Sequence, residues 1–354
     1  MNPLNLLLLP GDGLGPEIVT ATEAVLEAVA TDVSKPLRLS TVQIGFRALE
    51  AEGTTLPDSV VDAARAADGV VLGPVSHHAY PPRSDGGLNP SGGLRSALDL
   101  FANIRPARTY AGVDSPIGRA FDLVLVRENL EGFYADRNMH IGDGEWMPVP
   151  GVALALRKIT AEGSERIAER AFHIARTRER KHVTVINKAN VMRVSDGLFL
   201  ESVHRVAERY PDVTVEDMLV DAAAAHLVRA PERFDVVLAT NMFGDILSDL
   251  ASELAGGLGL AASLNAGAAH AVAQAQHGSA PDIQGLDIAN PCSLILSTAM
   301  LLRHHQEHRA ACRIESAITS LVANPRTRTR DIGGPVGTAA FTEHVCNHIR
   351  EAQA

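Results

Sequence analysis

Short apolar runs separated by longer segments of mixed polarity set the pattern of this chain. Residues 6–9, 67–72, 121–126, 183–186 and 234–240 are runs of mostly apolar, often β-branched residues, which predicts buried strands. Helical patterning follows in the Ala-, Val- and Glu-rich segment after Glu17, in 97–101, in 164–178, in a helix reached through a loop after Asn241, and in 298–303. Two stretches fit neither period. Residues 76–95 are polar and rich in Pro and Gly, and loops of that length in compact domains tend to be functional. From 135 to about 160, Trp146 and several Gly and Pro residues predict a protruding arm.

The first strand runs into Gly11-Asp-Gly-Leu-Gly-Pro-Glu17. The third glycine is misplaced for a dinucleotide fingerprint, and Pro16 and Glu17 occupy the helix start where a phosphate needs free N–H groups. A tight turn allowing close backbone approach is expected there instead of a Rossmann site.

Charge narrows the partners. A net charge of -10 across 354 residues argues against a nucleic acid or an anionic membrane surface, both of which need a clustered basic face. With 46% hydrophobic residues the chain can bury a substantial core, as two domains or one large α/β unit. Cys292, Cys312 and Cys346 are odd in number and far apart, so neither a disulfide framework nor a thiolate metal site is indicated, and a reducing cytoplasm is expected. The apolar run at 6–9 is broken by Pro10 and Gly11 and lacks a basic flank, which reads as a strand and not as a signal peptide or membrane span.

Candidate chemistry concentrates in four places. Asp245 and Asp249 stand at i and i+4 in Asn241-Met-Phe-Gly-Asp-Ile-Leu-Ser-Asp249, so on a helix both carboxylates share one face and call for a cation. Asp221 offers a third oxygen ligand, and three carboxylates without Cys or His favour Mg²⁺ or Mn²⁺ over zinc. Arg95, Arg105 and Arg127 lie near strand and helix ends, suited to bidentate grip on a small carboxylate. Lys188 follows a strand and is a candidate for proton transfer. The small-residue loop His277-Gly-Ser-Ala-Pro-Asp-Ile-Gln-Gly285, followed by Asn290, suits a nucleotide.

These blocks, together with 98–106, Arg127-Glu-Asn-Leu-Glu-Gly-Phe-Tyr134 and Asn187-Lys-Ala-Asn-Val191, stand in the order found in the β-decarboxylating dehydrogenases of 2-hydroxy acids, and the chain resembles that family from Pro10 to about Phe341. The group includes isopropylmalate, homoisocitrate, isocitrate and tartrate dehydrogenases. The resemblance implies an α/β isocitrate/isopropylmalate dehydrogenase-like fold with a mixed sheet, distinct from Rossmann. Its two lobes would be a large nucleotide-binding lobe, 1–100 with 256–354, and a small lobe, 101–255, carrying the arm and the dimer interface, with the active site between them. Arg95, Arg105 and Arg127 would bind substrate carboxylates. Asp221, Asp245 and Asp249 would hold Mg²⁺ or Mn²⁺, and Tyr134 and Lys188 would move protons. His277, Gly278, Ser279, Ala280, Asp282, Ile283, Asn290 and Asn190 would contact the cofactor. The lysine and the first aspartate of the set would serve the neighbouring subunit's site, which makes a homodimer with shared sites the expected assembly.

The sequence departs from the family in three places. Gln274-Ala-Gln276 replaces an acid-Pro-hydrophobic run, and Gly285-Leu-Asp287 replaces Gly-Lys-Gly. Before Arg95, Leu88, Ser91 and Gly92 stand in place of an acid and paired leucines, and Asn89 and Arg83 lie in the same loop, so a small or polar C3 substituent is expected over isopropyl. Asp282-Ile283 stands where NADP-using members carry Lys-Tyr, and although Arg326, Arg328 and Arg330 offer positive charge by Asp331-Ile-Gly-Gly334, the other segment the family uses at this end of the nucleotide, the carboxylate is expected to dominate and NAD is expected. A non-catalytic regulatory or binding paralogue is the alternative; such chains lose metal acids or the lysine, whereas all are present here. A phosphotransferase would need a P-loop, which is absent.

Overall fold

The computed structural model describes residues 2–134, 139 and 144–351. Residues 135–138 and 140–143 of the expected arm lie outside the described residues. The chain divides into two compact units. The first is Met1–Leu98, Tyr110–Asp114 and Gly256–Ala354; the second is Asp99–Thr109 and Ser115–Ala255.

The first unit begins β1 (Leu4–Leu9), α1 (Gly15–Val29), β2 (Leu37–Thr41), α2 (Phe46–Glu52), α3 (Asp58–Ala66), β3 (Gly69–Leu72) and α4 (Pro90–Ala97). The second holds β4 (Ala102–Arg108), β5 (Asp122–Glu128), β6 (Glu145–Val149), β7 (Val152–Ala155), α5 (Ala161–Thr177), β8 (His182–Asn187), α6 (Ser195–Ala207), β9 (Thr214–Leu219), α7 (Val220–Arg229), β10 (Val236–Ala239) and α8 (Asn241–Ala255). The chain then returns to the first unit with β11 (Leu264–Ala266), β12 (Ala271–Gln274), α9 (Cys292–His304), α10 (His308–Ala323) and α11 (Thr338–Glu351).

The expected mixed sheet is present, its strands mostly parallel within each unit. In the first, the order is β2-β1-β3-β12-β11, parallel except for the β11–β12 pair. In the second it is β4-β5-β10-β8-β9, parallel except for β4–β5. Strand alternation sorts the second unit's core into two layers. Val124 and Val126 of β5, with Val236 and Leu238 of β10, pack with Phe172 and Phe199 from α5 and α6. Leu123 and Leu125, with Val237 and Ala239, pack with Leu227, Leu247 and Ala251 from α7 and α8. Fully burying a side chain such as Phe172 contributes roughly 1.5–3 kcal/mol, so both faces must be covered. The first unit's core joins Leu6, Leu8 and Val71 to Ile18, Leu294, Ile314 and Phe341. Cys292 and Cys346 are buried in it, and Cys312 is exposed; all three thiols are unpaired. Among the described residues, no helix is long and apolar enough to cross a membrane.

Three sequence expectations need correction. The helix placed at 97–101 lies earlier, at Pro90–Ala97. Asn89 caps it, its Oδ1 accepting from the Gly92 N–H at 3.2 Å, Pro90 occupies the first turn, and Asp99 leaves the helical region at φ 47°. Part of the supposed loop 76–95 is therefore helical, and Arg95 sits in the last turn of α4. Arg105 lies within a strand, not at its mouth. No loop separates β10 from α8, which starts at Asn241 itself.

Candidate active site

In the second unit, β4 and β5 run antiparallel with Asn103 opposite Arg127. Arg105 is two residues from Asn103, so it projects on the same face as Arg127, the face that α8 covers. Both guanidinium groups are buried there, at 8% and 2% side-chain exposure, and a buried cation must find acceptors. Helix α8 supplies them. Arg105 Nη1 reaches Ser248 Oγ at 2.6 Å, Asp249 Oδ1 at 3.0 Å and Asp245 Oδ1 at 3.4 Å. Arg127 donates from Nε and Nη2 to Asn241 Oδ1 at 2.9 and 2.6 Å, and from Nη1 to Asp245 Oδ1. Asn241 in turn donates to the Glu131 carbonyl at 3.0 Å, which fixes its amide. A Cβ on Gly244 would come within 2.7 Å of Arg127 Cβ, so only glycine lets the helix approach this closely.

The i,i+4 acids thus share a face, as the spacing predicts, and Arg105 and Arg127 are cationic partners to them among the described residues. Burial and the neighbouring Arg127 charge pull the Arg105 pKa down to about 10, against the pull of Asp245 and Asp249. The Tyr134 hydroxyl donates to Asp245 Oδ2 at 3.3 Å, and its ring lies 5.6 Å from the Arg127 guanidinium carbon. Lys188, just past β8, pairs with Asp221 in the first turn of α7 at 2.6 Å, and that bond holds the Asp221 carboxyl below its usual range. Among the described residues no three His, Cys, Asp or Glu side chains come together as a metal nest, so Asp221 does not join Asp245 and Asp249 within one chain. Asn190 is exposed in the turn after Lys188.

In the first unit, Arg95 is half-buried on α4. The 277–290 loop is held mainly by backbone and small side chains. The Ser279 carbonyl accepts from the Leu14 N–H at 2.9 Å, and its hydroxyl bonds Ser76 Oγ at 2.7 Å. A Cβ on Gly13 would fall 2.0 Å from that carbonyl, which gives the glycine-rich turn its physical reason. His277 Nδ1 lies 3.0 Å from the Gly278 carbonyl, and burial lowers its pKa. Ala280 turns at φ 36°, and a short 3-10 turn, Pro281–Ile283, follows. Gly278 and Asp282 are exposed, and Ile283 packs on the core. Asn290 Nδ2 donates to Asp331 Oδ2 at 2.8 Å.

Sequence reasoning assigns no role to Asn241, Ser248 or Asp12. Ser248 stands one residue before Asp249 on the face already singled out, a signal that was present. Asp12 accepts from the Phe46 and Ser76 N–H groups and from the Tyr80 hydroxyl, and Tyr80 is raised by burial and by that contact. These partners lie 34 to 68 residues away, beyond any local pattern.

Residues 5–349 match the family model described as isocitrate/isopropylmalate dehydrogenase. The chain is 42% identical over 344 residues to the isocitrate/homoisocitrate dehydrogenase of Thermus thermophilus, covering 97% of this chain and 98% of that one. It is 40% identical over 342 residues to the 3-isopropylmalate dehydrogenase of Archaeoglobus fulgidus, covering 97% and 98%. The crystal structure of isocitrate dehydrogenase from Methylococcus capsulatus superposes with a TM-score of 0.88 at 41% identity, covering 98% of this chain and 99% of that one. With the mixed sheets and the sequence blocks in family order, these matches establish that the chain belongs to the isocitrate/isopropylmalate dehydrogenase family.

Proposed function

We propose that the protein catalyses the NAD-dependent, divalent-metal-dependent oxidative decarboxylation of a 3-substituted malate-type 2-hydroxy acid, working as a homodimer in a reducing cytoplasm. The observation that carries this reading is the convergence of Arg105, Arg127, Tyr134, Asp245 and Asp249 on one end of the second unit's sheet. Two cations preset for carboxylates stand beside acids able to take a hard cation. Asp245 and Asp249 keep 35% and 52% of their side chains exposed. Oxygen-only donors fit Mg²⁺ or Mn²⁺. Asp221 would complete the set from a second copy of the chain, since the three acids do not meet within one.

Exposed apolar groups support that second copy. Trp146, Met147, Val149, Val152 and Leu154 all lie open on the two-stranded β6–β7 ribbon, and Val191, Val194 and Ile246 lie open near Lys188 and Asp245 in sequence. A patch of this kind marks an association surface.

In this mechanism Arg95, Arg105 and Arg127 bind and orient the substrate carboxylates. Lys188 takes the proton of the C2 hydroxyl, and Tyr134 returns a proton to the enol carbon once the β-carboxylate has left. The metal, when bound, would draw electron density from the hydroxyl oxygen, and the nicotinamide would accept the hydride. His277, Gly278, Ser279, Ala280, Asp282, Ile283, Asn290 and Asn190 would contact the nucleotide. Asp282 favours free ribose hydroxyls over a 2′-phosphate. Of the arginines nearby, Arg328 is committed to the Val322 and Ala323 carbonyls at the end of α10, which leaves less positive charge for a phosphate. Near Arg95, Asn89 caps α4 and Ser91 Oγ donates to Gln274 at 3.0 Å, so neither forms an apolar wall, and Arg83 is exposed. A small or polar C3 substituent follows.

The test is a panel of malate, tartrate, isopropylmalate, isocitrate and homoisocitrate with NAD⁺ and Mn²⁺, following NADH and CO₂. No turnover across the panel would favour a non-catalytic paralogue. A specificity constant for isopropylmalate above all polar analogues would overturn the C3 assignment.

A further inference from the structure

Below Lys188 lies a buried ion pair to which no role has been given. Arg157, just past β7, has 9% of its side chain exposed, and its Nη1 is 2.6 Å from Oδ1 of Asp196, whose side chain is fully buried. Asp196 Oδ2 accepts from the backbone N–H of Lys188 at 2.6 Å. The same guanidinium donates to Ser195 Oγ at 2.8 Å, at the start of α6, and to Thr240 Oγ1 at 3.1 Å, the residue before α8. Its carbon stands 5.6 Å from the ring centre of Phe243, in the first turn of α8.

A buried ion pair of this kind is weak evidence for stability, because desolvating two charges offsets most of their attraction and an apolar pair of like volume often serves as well. Its planar fork does something an apolar pair cannot. It ties the turn that carries Lys188 to the start of the helix that carries Asp245 and Asp249. We propose that Arg157 is a positioning residue: through Asp196 it fixes the backbone from which Lys188 reaches Asp221, and through Thr240 it sets that turn against α8. Because Arg157 stands at the root of the β6–β7 ribbon, the surface assigned to a second copy is anchored at the same point. The proposal rests on Lys188 being a proton-transfer residue.

The test is a double-mutant cycle between Arg157→Met and Lys188→Ala, with kcat and KM measured on the full chain and Mn²⁺ saturating. Arg157→Met should lower kcat about 10- to 100-fold, the scale of a displacement near 1 Å, with KM changing by less than about threefold. Arg157→Lys should restore part of the loss, since a point charge reaches Asp196 or Thr240 but not both. In the Lys188→Ala background, Arg157→Met should remove less than about twofold more. The same loss in both backgrounds would overturn the proposal, since Arg157 would then act independently of Lys188. If Arg157→Met does not fold, Asp196→Asn, which keeps an oxygen for the Lys188 N–H while weakening the ion pair, enters the same cycle with the same criteria. A Lys188→Ala variant with full activity would instead refute the role of Lys188, a separate and recognisable failure.

Discussion

Arg105 and Arg127 are gripped from several sides by Ser248, Asn241, Asp245 and Asp249, whereas the 277–290 loop leaves Gly278 and Asp282 open to solvent and is pinned at Ser279 and Asn290. The first arrangement holds charge in place before any ligand arrives, so little reorganisation is left for the moment of reaction. The second exposes backbone and small side chains, which suits a flat, extended ligand that brings its own shape. The contrast says where substitutions should be severe: a changed charge in the second unit disturbs several partners at once, and a changed side chain in the first unit's loop disturbs only what lands on it.

Asp245→Asn strikes the rigid side hardest. It removes the carboxylate shared by Arg105, Arg127 and Tyr134, and turnover should fall by roughly three orders of magnitude or more, with loss of the Mn²⁺ response. Because Asp245 is partly exposed, the accompanying loss of stability should stay near roughly 1–2 kcal/mol by thermal unfolding. Near wild-type activity would remove Asp245 from the metal site. Lys188→Ala should lower kcat by about two to four orders of magnitude with the fold intact. An unchanged rate would reduce Lys188–Asp221 to a surface ion pair with no part in the chemistry.

A third way to probe the rigid side uses Glu128, next to Arg127 at the end of β5. Burial pushes its carboxyl up to about 7, assisted by Glu131, although the Leu130 and Glu131 N–H groups bond its charged form. Unfolded, the same group titrates near 4.5. Between these values the folded chain holds the proton more tightly, so the stability from this group is complete below about 4.5, is lost as pH rises towards 7, and changes no further above it. Relative to Glu128→Gln, the wild-type unfolding free energy should drop by up to roughly 3 kcal/mol across that window. Parallel pH profiles for the two proteins would mean that Glu128 titrates normally.

On the open side the effect should be smaller and selective. Asp282→Lys with Ile283→Tyr should shift the ratio of kcat/KM for NADP⁺ over NAD⁺ by about 10- to 100-fold and leave the hydroxy-acid KM unchanged. Equal use of both cofactors by the unmodified protein would show that Arg326, Arg330 or another group overrides Asp282.

The same contrast explains what was legible in the sequence. Arg127 and Lys188 stand just past apolar runs, where a charge is conspicuous, Asp245 and Asp249 stand at helical spacing, and periodicity places the strands before them within a residue or two. Uncharged Asn241 and Ser248 passed as filler in the same motif, although their bonds hold the arginines. Glycines at 92 and 93 mask the start of α4, although Asn89-Pro90 does announce it. The Asn290–Asp331 and Asp12–Tyr80 contacts join residues far apart in sequence, and only the folded chain brings them together.

The three thiols all belong to the first unit, and the second has none. Cys312 lies open, while burial holds Cys292 and Cys346 protonated and out of reach. A thiol reagent added to the native protein should therefore consume one equivalent quickly and two slowly. That slow phase is a stopwatch for the opening of α9 and α11, running on the first unit while the charged sheet of the second stays silent.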